Sequence, residues 1–428
     1  MSVEVGTRRR ARLTSRRRAT RRRLVIAMVV ILVLVIGGGI GLYLHLNGNL
    51  KTAPLLSQGH ETKNAAGHSP INLLVIGSDT RASREDCAIG GDCSVATATS
   101  TKATSAAANS DVLMVVHISA DRSNATVMSI PRDTMMSVPS CVDQATGETE
   151  SPHVDRINST FQYGADCTAR AVHQLTGIVV DHFMVIDFAG VVKMSDAVGG
   201  VSVCVNNNVY DPYSHLKLAK GTHTLKGIAA LEFLRTRHGF GDGSDIGRTV
   251  AQHVFLSAML RNMESASTLV NPVKVLKLAD AATSAVTVDP GLGSIPSLTS
   301  LAYQLSEVPG SRTTFVTMPT VPDPSNDNVV VPASNAPTLF GKIVRDVSLS
   351  RPAGHIGVSK APKPSKSTVA KPSASPTPTD SATDYAETVT SASGCAQVST
   401  YRTVVINGVA MTPTQAYAAS PSVPDSAP

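Results

Sequence analysis

An uninterrupted apolar run near the N-terminus is the feature that most constrains this chain. It covers residues 24–46 (LVIAMVVILVLVIGGGIGLYLHL), and its one ionisable residue, His45, stands near the far end. A helix of about 20 apolar residues crosses a bilayer, so this run is long enough to span a membrane. We find no convincing cleavage site of small residues after Leu46, which favours a membrane anchor over a cleaved signal peptide.

Ten arginines lie between Arg8 and Arg23, directly before the apolar run. Basic residues hold their end of a span in the cytoplasm, so we predict a cytoplasmic tail over 1–23, a transmembrane helix over 24–46 and an extracytoplasmic chain beyond. A nucleic-acid-binding arm is the alternative, but such an arm rarely adjoins a membrane span. The tail holds ten of the 38 basic residues and one of the 32 acidic residues. The exported part keeps 28 basic and 31 acidic residues and is therefore mildly acidic. We therefore expect the membrane as a partner and no nucleic acid.

The cysteines predict disulfides, because all six follow the membrane span and an exported chain can form such bonds. Cys87 and Cys93 bracket a short loop and predict a local disulfide, and Cys141 with Cys167 is the second predicted pair. Spacing alone does not fix the connectivity, so the other two cysteines receive no predicted partner. A metal site in the DCAIGGDC stretch is the alternative, but no histidine lies near it and no second cysteine pair matches its spacing.

Composition divides the exported part into four stretches. We predict a polar linker (47–69), a globular catalytic domain (70–347), a disordered Pro/Ser/Thr/Lys-rich linker (348–393) and a C-terminal tail that can form a small appendage (394–428). The second linker is too poor in apolar residues to build a core of its own.

Within the globular stretch, short apolar runs bounded by turn residues predict strands, and apolar residues at every fourth position predict a buried helix face. The predicted strands are 71–77, 111–119, 125–130 and 182–188, and the predicted helices are 227–237 and 244–263. Strands mixed with helices indicate an α/β fold whose central sheet is covered by helices.

The stretch RTRHGFGDGSDIGR (235–248) places Arg235, Arg237, Asp245 and Arg248 around a glycine-rich bend. A surface salt-bridge cluster behind a helix cap at Ser244 is one interpretation of these charges. A binding site is the other, and the charged residues elsewhere in the chain favour it.

Charged residues also adjoin the predicted strands. Asp79 and Arg81 follow the first, Asp111 begins the second, and Arg132 follows the third. Ligands of open α/β sheets gather where strands end. Two carboxylates there suit Mg²⁺, and several arginines suit phosphate oxygens. This pattern indicates a phosphorylated substrate, and the sequence contains no nucleophile elbow, HExxH motif or Walker loop that would indicate another chemistry.

Taken in order, these motifs resemble those of the LytR-CpsA-Psr family. The resemblance rests on GSDTR, SDVLMVV, SIPRDT, RIN, VIDFAGVVKMSDAVGGV and ALEFLRTRHGFGDGSDIGR, and it spans roughly residues 70–265 with a fainter continuation to about 347. It implies a three-layer α/β/α sandwich with a central mixed sheet and a hydrophobic lipid-binding pocket. It also implies a membrane-anchored phosphotransferase that moves an anionic glycopolymer from a polyprenyl-pyrophosphate carrier to peptidoglycan. Mg²⁺, with Mn²⁺ as an alternative, is the implied cofactor.

The resemblance assigns roles residue by residue. The metal-binding pair is Asp79 and Asp111. The base that activates the acceptor hydroxyl is Asp245. The arginines that grip the pyrophosphate and act in catalysis are Arg132, Arg235, Arg237 and Arg248. The remaining substrate-binding positions are Arg81, Arg156 and Gln252.

The sequence departs from the family pattern in three places. The stretch over 82–110 is an insertion that lengthens the gap between the two metal aspartates. Ala251 stands before Gln252 where many members have arginine, and the tail beyond residue 394 does not match the extra domain of some members.

Two other functions remain open from the sequence. A polyprenyl-pyrophosphate hydrolase would use the same site with water as the acceptor, and a non-catalytic envelope-binding or regulatory protein would keep only the pocket. The polymer also stays open, because teichoic acid, capsule, arabinogalactan and a protein-linked glycan all fit. His238 is either a proton shuttle or a polar loop residue, and Asp187 either supports the site or caps a turn.

Overall fold

The computed structural model describes residues 3–56, 59, 63–64, 67–78, 109–241, 245–264, 272–349 and 395–427. Almost all of the predicted insertion (82–110) and of the predicted second linker (348–393) lies outside these residues. So do five residues with a predicted role, namely Asp79, Arg81, Cys87, Cys93 and Ser244. The backbone of Asp245 is described, but its side chain is not.

The described residues form helices distributed along the whole chain. They are α1 (Val3–Asn49), α2 (Ala165–Thr176), α3 (Phe188–Ala197), α4 (Ile228–Arg235), α5 (Asp245–Glu264), α6 (Pro272–Ala285), α7 (Ile295–Ser306), α8 (Ala336–Val344) and α9 (Pro413–Ala419), with 3-10 helices at Ile157–Tyr163 and Gly310–Arg312.

The strands are mostly short. They are β1 (Lys51–Thr52), β2 (Ile71–Ser78), β3 (Ser110–Ile118), β4 (Ala125–Ile130), β5 (Met135–Val138), β6 (Cys141–Val142), β7 (Thr149–Glu150), β8 (His153–Arg156), β9 (His182–Ile186), β10 (Val201–Val205), β11 (Val209–Asp211), β12 (Leu216–Leu218), β13 (Gly221–Leu225), β14 (Val286–Val288), β15 (Thr313–Thr317), β16 (Thr320–Asp323), β17 (Asn326–Pro332), β18 (Val404–Ile406) and β19 (Val409–Met411).

Seven strands form one mixed central sheet in the order β1-β14-β9-β2-β3-β4-β15. The pairs β1/β14, β9/β2 and β4/β15 are parallel, whereas β14/β9, β2/β3 and β3/β4 are antiparallel. The four predicted strands are β2, β3, β4 and β9, and they stand side by side in the middle of the sheet. The predicted α/β class with a central mixed sheet is therefore confirmed.

Helices pack on both faces of this sheet, which is why its inner strands are almost continuously apolar. On one face, Leu74 and Ile76 of β2 belong to a core shared with α2 and α8. On the other, Leu73 belongs to a core shared with α6 and α7, and Met114 packs with Leu256 of α5. The alternation of Leu73 and Leu74 between the two faces follows from the two-residue period of a strand.

A second core lies beside the sheet and joins two distant parts of the chain. It is built from β10–β13, α4 and α5, and residues 395–427, here named the C-terminal segment, contribute Ala396, Val398 and Ala427 to it. The disulfide between Cys204 and Cys395 connects this segment to β10 across 191 positions of the chain. Spacing did not predict this bond, whereas the predicted pair Cys141 and Cys167 also forms a disulfide.

The apolar run forms the second half of α1. Residues Ile26–Asn49 are long and apolar enough to cross a membrane by length and composition, which fits a membrane anchor or a signal sequence. The end of this helix contacts the globular part, because His45 Nε2 lies 2.9 Å from Asp280 Oδ1 of α6 and Leu46 is buried.

The predicted helix 227–237 extends two residues too far at its C-terminal end, and the difference matters for the site. Helix α4 ends at Arg235, and Thr236 has an extended backbone with φ −64° and ψ 128°. The hydroxyl of Thr236 donates to Asp211 Oδ2 at 2.6 Å, and this bond fixes the extended residue. Arg237 therefore stands in a turn (residues 236–241, here the arginine turn) and not on the helix.

His253 fixes α5 against the sheet. Its ring is fully buried, with Nε2 2.7 Å from the hydroxyl of Ser129 on β4 and the ring centroid 5.3 Å from that of Phe315 on β15. Burial lowers the pKa of His253 from its ordinary value of 6.5 to about 4, because the charged form is poorly solvated there.

We predict that His253 makes the fold less stable as the pH falls from 6.5 towards 4. In that window the unfolded histidine binds a proton and the folded one does not, so the free energy of unfolding decreases by up to roughly 3 kcal/mol. Replacing His253→Gln keeps a side chain that can bond Ser129 but removes the titration. Urea unfolding of the full chain in detergent at pH 7, 6, 5 and 4.5 should show a shallower loss for His253→Gln than for wild type. His68→Gln, at an exposed histidine, should follow wild type, and identical slopes in all three proteins would refute the assignment.

Candidate active site

The site lies at one end of the central sheet, where three strands begin or end. Gly77 of β2 pairs with Val112 of β3 and with Ile186 of β9. Because β2 and β9 are parallel and β3 is antiparallel to β2, the ends of β2 and β9 meet the start of β3. Asp111 and Asp187 thereby come to the same edge.

Asp111 is the centre of the charged cluster. Its carboxylate oxygen Oδ1 is hydrogen-bonded to Arg132 Nη1, and it lies 3.7 Å from Arg237 Nη2 and 3.8 Å from Arg248 Nη1. Three guanidinium groups thus face one carboxylate oxygen. Among the described residues this leaves an excess of positive charge, which is the arrangement that binds phosphate groups.

Arg248 is the most deeply buried of these arginines, with a side chain 4% exposed. It stands in the first turn of α5, and its Nη2 also donates to the backbone carbonyl of Asp111 at 2.6 Å. A buried guanidinium is costly unless charge and hydrogen bonds compensate it. Asp111 supplies both, through the charge of its carboxylate and through its backbone carbonyl, and it thereby fixes the position of Arg248.

Asp133 joins Arg132 to Arg156, a fourth arginine at this edge, and the sequence assigned it no role in the site. Its Oδ2 accepts from Arg132 Nε at 3.3 Å, and its Oδ1 accepts from Arg156 Nη1 at 3.3 Å. Arg156 is the more exposed arginine, with 43% of its side chain accessible. The adjacency of Arg132 and Asp133 in the PRDT motif was the available signal.

Asp211 supports the arginine turn from inside, and this buried carboxylate also escaped the sequence reasoning. It accepts from the hydroxyl of Thr236 at 2.6 Å and from the backbone N–H of Tyr213 at 3.0 Å and of His238 at 3.3 Å. Burial alone would raise the pKa of Asp211, but the hydrogen bonds of His238 and Thr236 outweigh it and lower that pKa. The ring of His238 stacks obliquely on Tyr213 at 4.5 Å and stands 3.7 Å from Asp211, so it packs against the turn's support.

An apolar cavity of about 120 Å³ opens beside the cluster. Its walls come from the sheet and from α3, α4 and α5. The apolar lining consists of Val75, Gly77, Val112, Met114, Ile186, Phe188, Val191, Leu231, Leu234 and Leu256. The polar and charged lining consists of Ser78, Asp111, Asp187, Arg235, Arg248 and Gln252.

Three polar residues of the cavity wall have defined partners. The guanidinium of Arg235 lies 4.8 Å from the ring centroid of Phe188, a cation–π contact. Gln252 is buried, and its Nε2 donates to the carbonyl of Leu234 at 3.4 Å. Asp187 caps α3, because its carboxylate accepts from the N–H of Gly190 at 2.7 Å. The same residue also lines the cavity.

The structure brings together most of the predicted site. Asp111, Arg132, Arg237 and Arg248 form one cluster, Arg235 and Gln252 line the adjoining cavity, and Arg156 reaches the cluster through Asp133. Asp79 and Arg81 lie outside the described residues, and Asp245 is placed only as the first residue of α5. No group of three or more metal-ligating side chains occurs within the described part of the chain.

Comparisons with known proteins identify a family and several relatives of this chain. The sequence profile of the LytR_cpsA_psr family matches residues 42–339. Cell wall biosynthesis protein LcpA of Corynebacterium glutamicum is 34% identical over 227 residues, which are 49% of this chain and 43% of LcpA. Polyisoprenyl-teichoic acid–peptidoglycan teichoic acid transferase TagU of Bacillus mycoides is 27% identical over 214 residues, which are 50% of this chain and 59% of TagU. The chain thus spans about half the length of these curated relatives.

A solved structure agrees in fold. The LytR-Csp2A-Psr enzyme from Actinomyces oris superposes with a TM-score of 0.51 at 22% identity, covering 68% of this chain and 95% of that one. At this identity the match shows a shared fold, and the chemistry has to be argued from the residues of the site.

The cluster predicts that Asp111 competes with anions for the arginines. Replacing Asp111→Asn removes the charge that faces Arg132, Arg237 and Arg248, so inorganic pyrophosphate without metal should bind about tenfold more tightly. Isothermal titration calorimetry on the full chain in detergent measures this. Asp121→Asn makes the same change in net charge at the opposite end of β3 and should leave the affinity near that of wild type. Equal affinities in wild type and Asp111→Asn would contradict the geometry.

Proposed function

This chain belongs to the LytR_cpsA_psr family, and from that premise we propose that it is an enzyme that transfers a glycopolymer from a polyprenyl-pyrophosphate carrier to peptidoglycan. The carrying observation is the convergence of Arg132, Arg237 and Arg248 on Asp111 at the mouth of an apolar cavity. The cavity suits a prenyl tail and the arginines suit the pyrophosphate at its head. The names of LcpA and TagU, a cell wall biosynthesis protein and a teichoic acid transferase, support the same substrate class.

The proposed reaction is a phosphoryl transfer. A hydroxyl oxygen of peptidoglycan forms a bond to the phosphorus that carries the glycan, and the bond from that phosphorus to the bridging oxygen breaks. Polyprenyl monophosphate leaves with the electron pair, and the hydroxyl proton passes to a base. Negative charge spreads over the phosphate oxygens as this happens, and fixed cations stabilise it.

Each arginine has a distinct part in this proposal. Arg248, buried and bonded to the backbone of Asp111, is the fixed cation of the site. Arg237, which is 36% exposed, reaches outward to the phosphate that is attacked. Arg132 would bind the phosphate from another side, and its hydrogen bond to Asp133 holds it in position.

Asp245 is the proposed base. It begins α5 three residues before Arg248, so its position in the chain places it in the helix turn that borders the cluster. A carboxylate there would accept the proton from the acceptor hydroxyl.

A divalent cation is part of the proposal, and Asp111 is its one proposed ligand whose side chain is described. Mg²⁺ takes one or two carboxylates and completes its shell with water and substrate phosphates, and Asp111 offers a hard carboxylate beside the phosphate-binding arginines. Asp111 with Asp79 would hold Mg²⁺ or Mn²⁺. The ion would neutralise phosphate charge, and it would also relieve the competition of Asp111 for the arginines.

The membrane anchor completes the proposal. The span Ile26–Asn49 would keep the protein in the cell membrane, with the arginine-rich tail in the cytoplasm. The globular part would then stand outside, where peptidoglycan lies, and the cavity would receive a tail drawn from the same membrane.

The first test is a transfer assay with the full chain in detergent. It combines a labelled polyprenyl-pyrophosphate oligosaccharide, peptidoglycan oligomers and Mg²⁺. Wild type should move label to peptidoglycan, whereas Asp111→Ala and Arg237→Ala should lower kcat about 100-fold or more. Arg261→Ala removes an exposed arginine from the other end of α5 and should retain activity.

The products separate the proposal from its competitors. Free phosphorylated oligosaccharide without labelled peptidoglycan would show a hydrolase that uses water as the acceptor. Binding of the lipid without any product would show a binding or regulatory protein and would refute the transferase.

The cavity predicts a dependence on prenyl length. Val191→Phe places a larger side chain in the cavity wall, so kcat/KM for a long-chain polyprenyl donor should fall about tenfold. A donor with two isoprene units should change by less than about twofold. Val192→Phe, one residue along α3 and not among the described lining residues, is the matched control. An equal loss for both donors would show that the variant damages the fold and not the tail site.

A further inference from the structure

The outer side of the arginine turn is covered by the C-terminal segment. This segment lies beyond the family match, which ends at residue 339, and it is separated from the domain by more than forty residues of the chain. Three hydrogen bonds join the two. The hydroxyl of Thr403 donates to the carbonyl of His238 at 2.6 Å, Ser399 N–H donates to the carbonyl of Gly239 at 2.9 Å, and Gly241 N–H donates to the carbonyl of Gln397 at 3.0 Å.

The segment is anchored on both sides of these contacts. Before them, Cys395 is disulfide-bonded to Cys204, and Ala396 N–H donates to the carbonyl of Cys204 at 2.7 Å. After them, the ammonium of Lys217 donates to the carbonyl of Ser420 at 2.8 Å. A segment fixed at both ends loses little further conformational entropy when its middle contacts the turn.

The arginine turn is therefore held from two sides. On the inside, Asp211 accepts from Thr236 and from the N–H of His238. Gly241 also approaches α5 so closely that a Cβ there would stand 2.8 Å from Cα of Gly247, and its φ of +59° suits glycine. On the outside, the C-terminal segment binds the backbone of the same turn.

Arg237 stands between the two fixed residues Thr236 and His238. Its side chain is 36% exposed, against 18% for Arg132 and 4% for Arg248. Of the three arginines around Asp111 its side chain is therefore the most exposed to solvent. The position of its guanidinium accordingly depends most on its backbone.

We propose that residues 395–403 of the C-terminal segment act as a positioning element for the site, and that Thr403 is the positioning residue that sets the backbone next to Arg237. The proposal rests on the transferase function proposed above. Cations stabilise a transition state only where they are already in place, and displacements of about 1 Å can cost large factors in rate. Ground-state binding of a prenyl tail in the cavity requires no such accuracy.

The matched pair of variants is Thr403→Val and Thr414→Val in the full chain. Each removes one hydroxyl of the same segment, but Thr414 donates to the carbonyl of Asn208 at 2.9 Å, away from the turn. Thr403→Val should lower kcat for transfer about tenfold, with KM for the lipid donor rising by a smaller factor of about threefold. Thr414→Val should match wild type, and Thr403→Ser, which keeps the hydroxyl, should restore kcat.

A double-mutant cycle shows whether the effect passes through Arg237. In an Arg237→Ala background, Thr403→Val should cause no further loss, because the group that it positions is gone. Losses that multiply in the double variant would overturn the proposal. So would a wild-type kcat in Thr403→Val, or equal losses in Thr403→Val and Thr414→Val.

Two readouts stay valid if the wild type transfers nothing. Hydrogen exchange at the amide of Gly241 should be faster in Thr403→Val than in wild type and Thr414→Val. The affinity for inorganic pyrophosphate with Mg²⁺ should fall about threefold or more in Thr403→Val alone. Unchanged exchange and unchanged affinity would refute the positioning role, whereas absent transfer with both changes present would refute only the transferase.

Discussion

The contact of three guanidinium groups with one carboxylate is the constraint on which this site depends. Like charges this close repel one another, and in partly buried surroundings the repulsion is screened only weakly. The carboxylate of Asp111 reduces this repulsion. Because Asp111 belongs to β3 of the central sheet, the negative charge that attracts the arginines has a fixed position. Among the described residues, the carboxylates of Asp111 and Asp133 do not balance Arg132, Arg156, Arg237 and Arg248, which leaves an excess of positive charge at this edge of the sheet. That imbalance is what a phosphate-binding site requires.

The part of this arrangement that the sequence predicted depends on local signals. Short apolar runs predict strands, and Asp111 and Arg132 were placed at the site because they adjoin such runs. Arg235 and Arg248 were placed beside them because a glycine-rich bend must bring two neighbouring helices together. The family resemblance then gave roles to these residues, and the geometry of the described ones agrees with a shared site.

The residues that escaped prediction act through contacts between distant segments. Asp211 precedes Thr236 by 25 positions, and no local pattern shows that its carboxylate turns inward to end α4 at Arg235. The bond between Cys204 and Cys395 spans 191 positions, and among six cysteines such a pairing is one of many. Both contacts belong to the second core, whose strands are short and whose partner segment lies at the far end of the chain.

Helices α4 and α5 line both the cavity and the charged cluster, and would thereby link the proposed tail binding to the proposed chemistry. Residues four apart lie on one face of a helix, so Arg248, Gln252 and Leu256 point along the same side of α5, from the charged cluster into the apolar wall. On α4, Leu231 lines the cavity and Arg235 lies one turn later, at its polar rim. A proposed carrier with an apolar tail and an anionic head would contact both helices at once. Any shift of α4 or α5 that opened the cavity would also move the arginines. The second core and the C-terminal segment, which hold these helices and the turn between them, would therefore influence where the proposed phosphate lies without touching it.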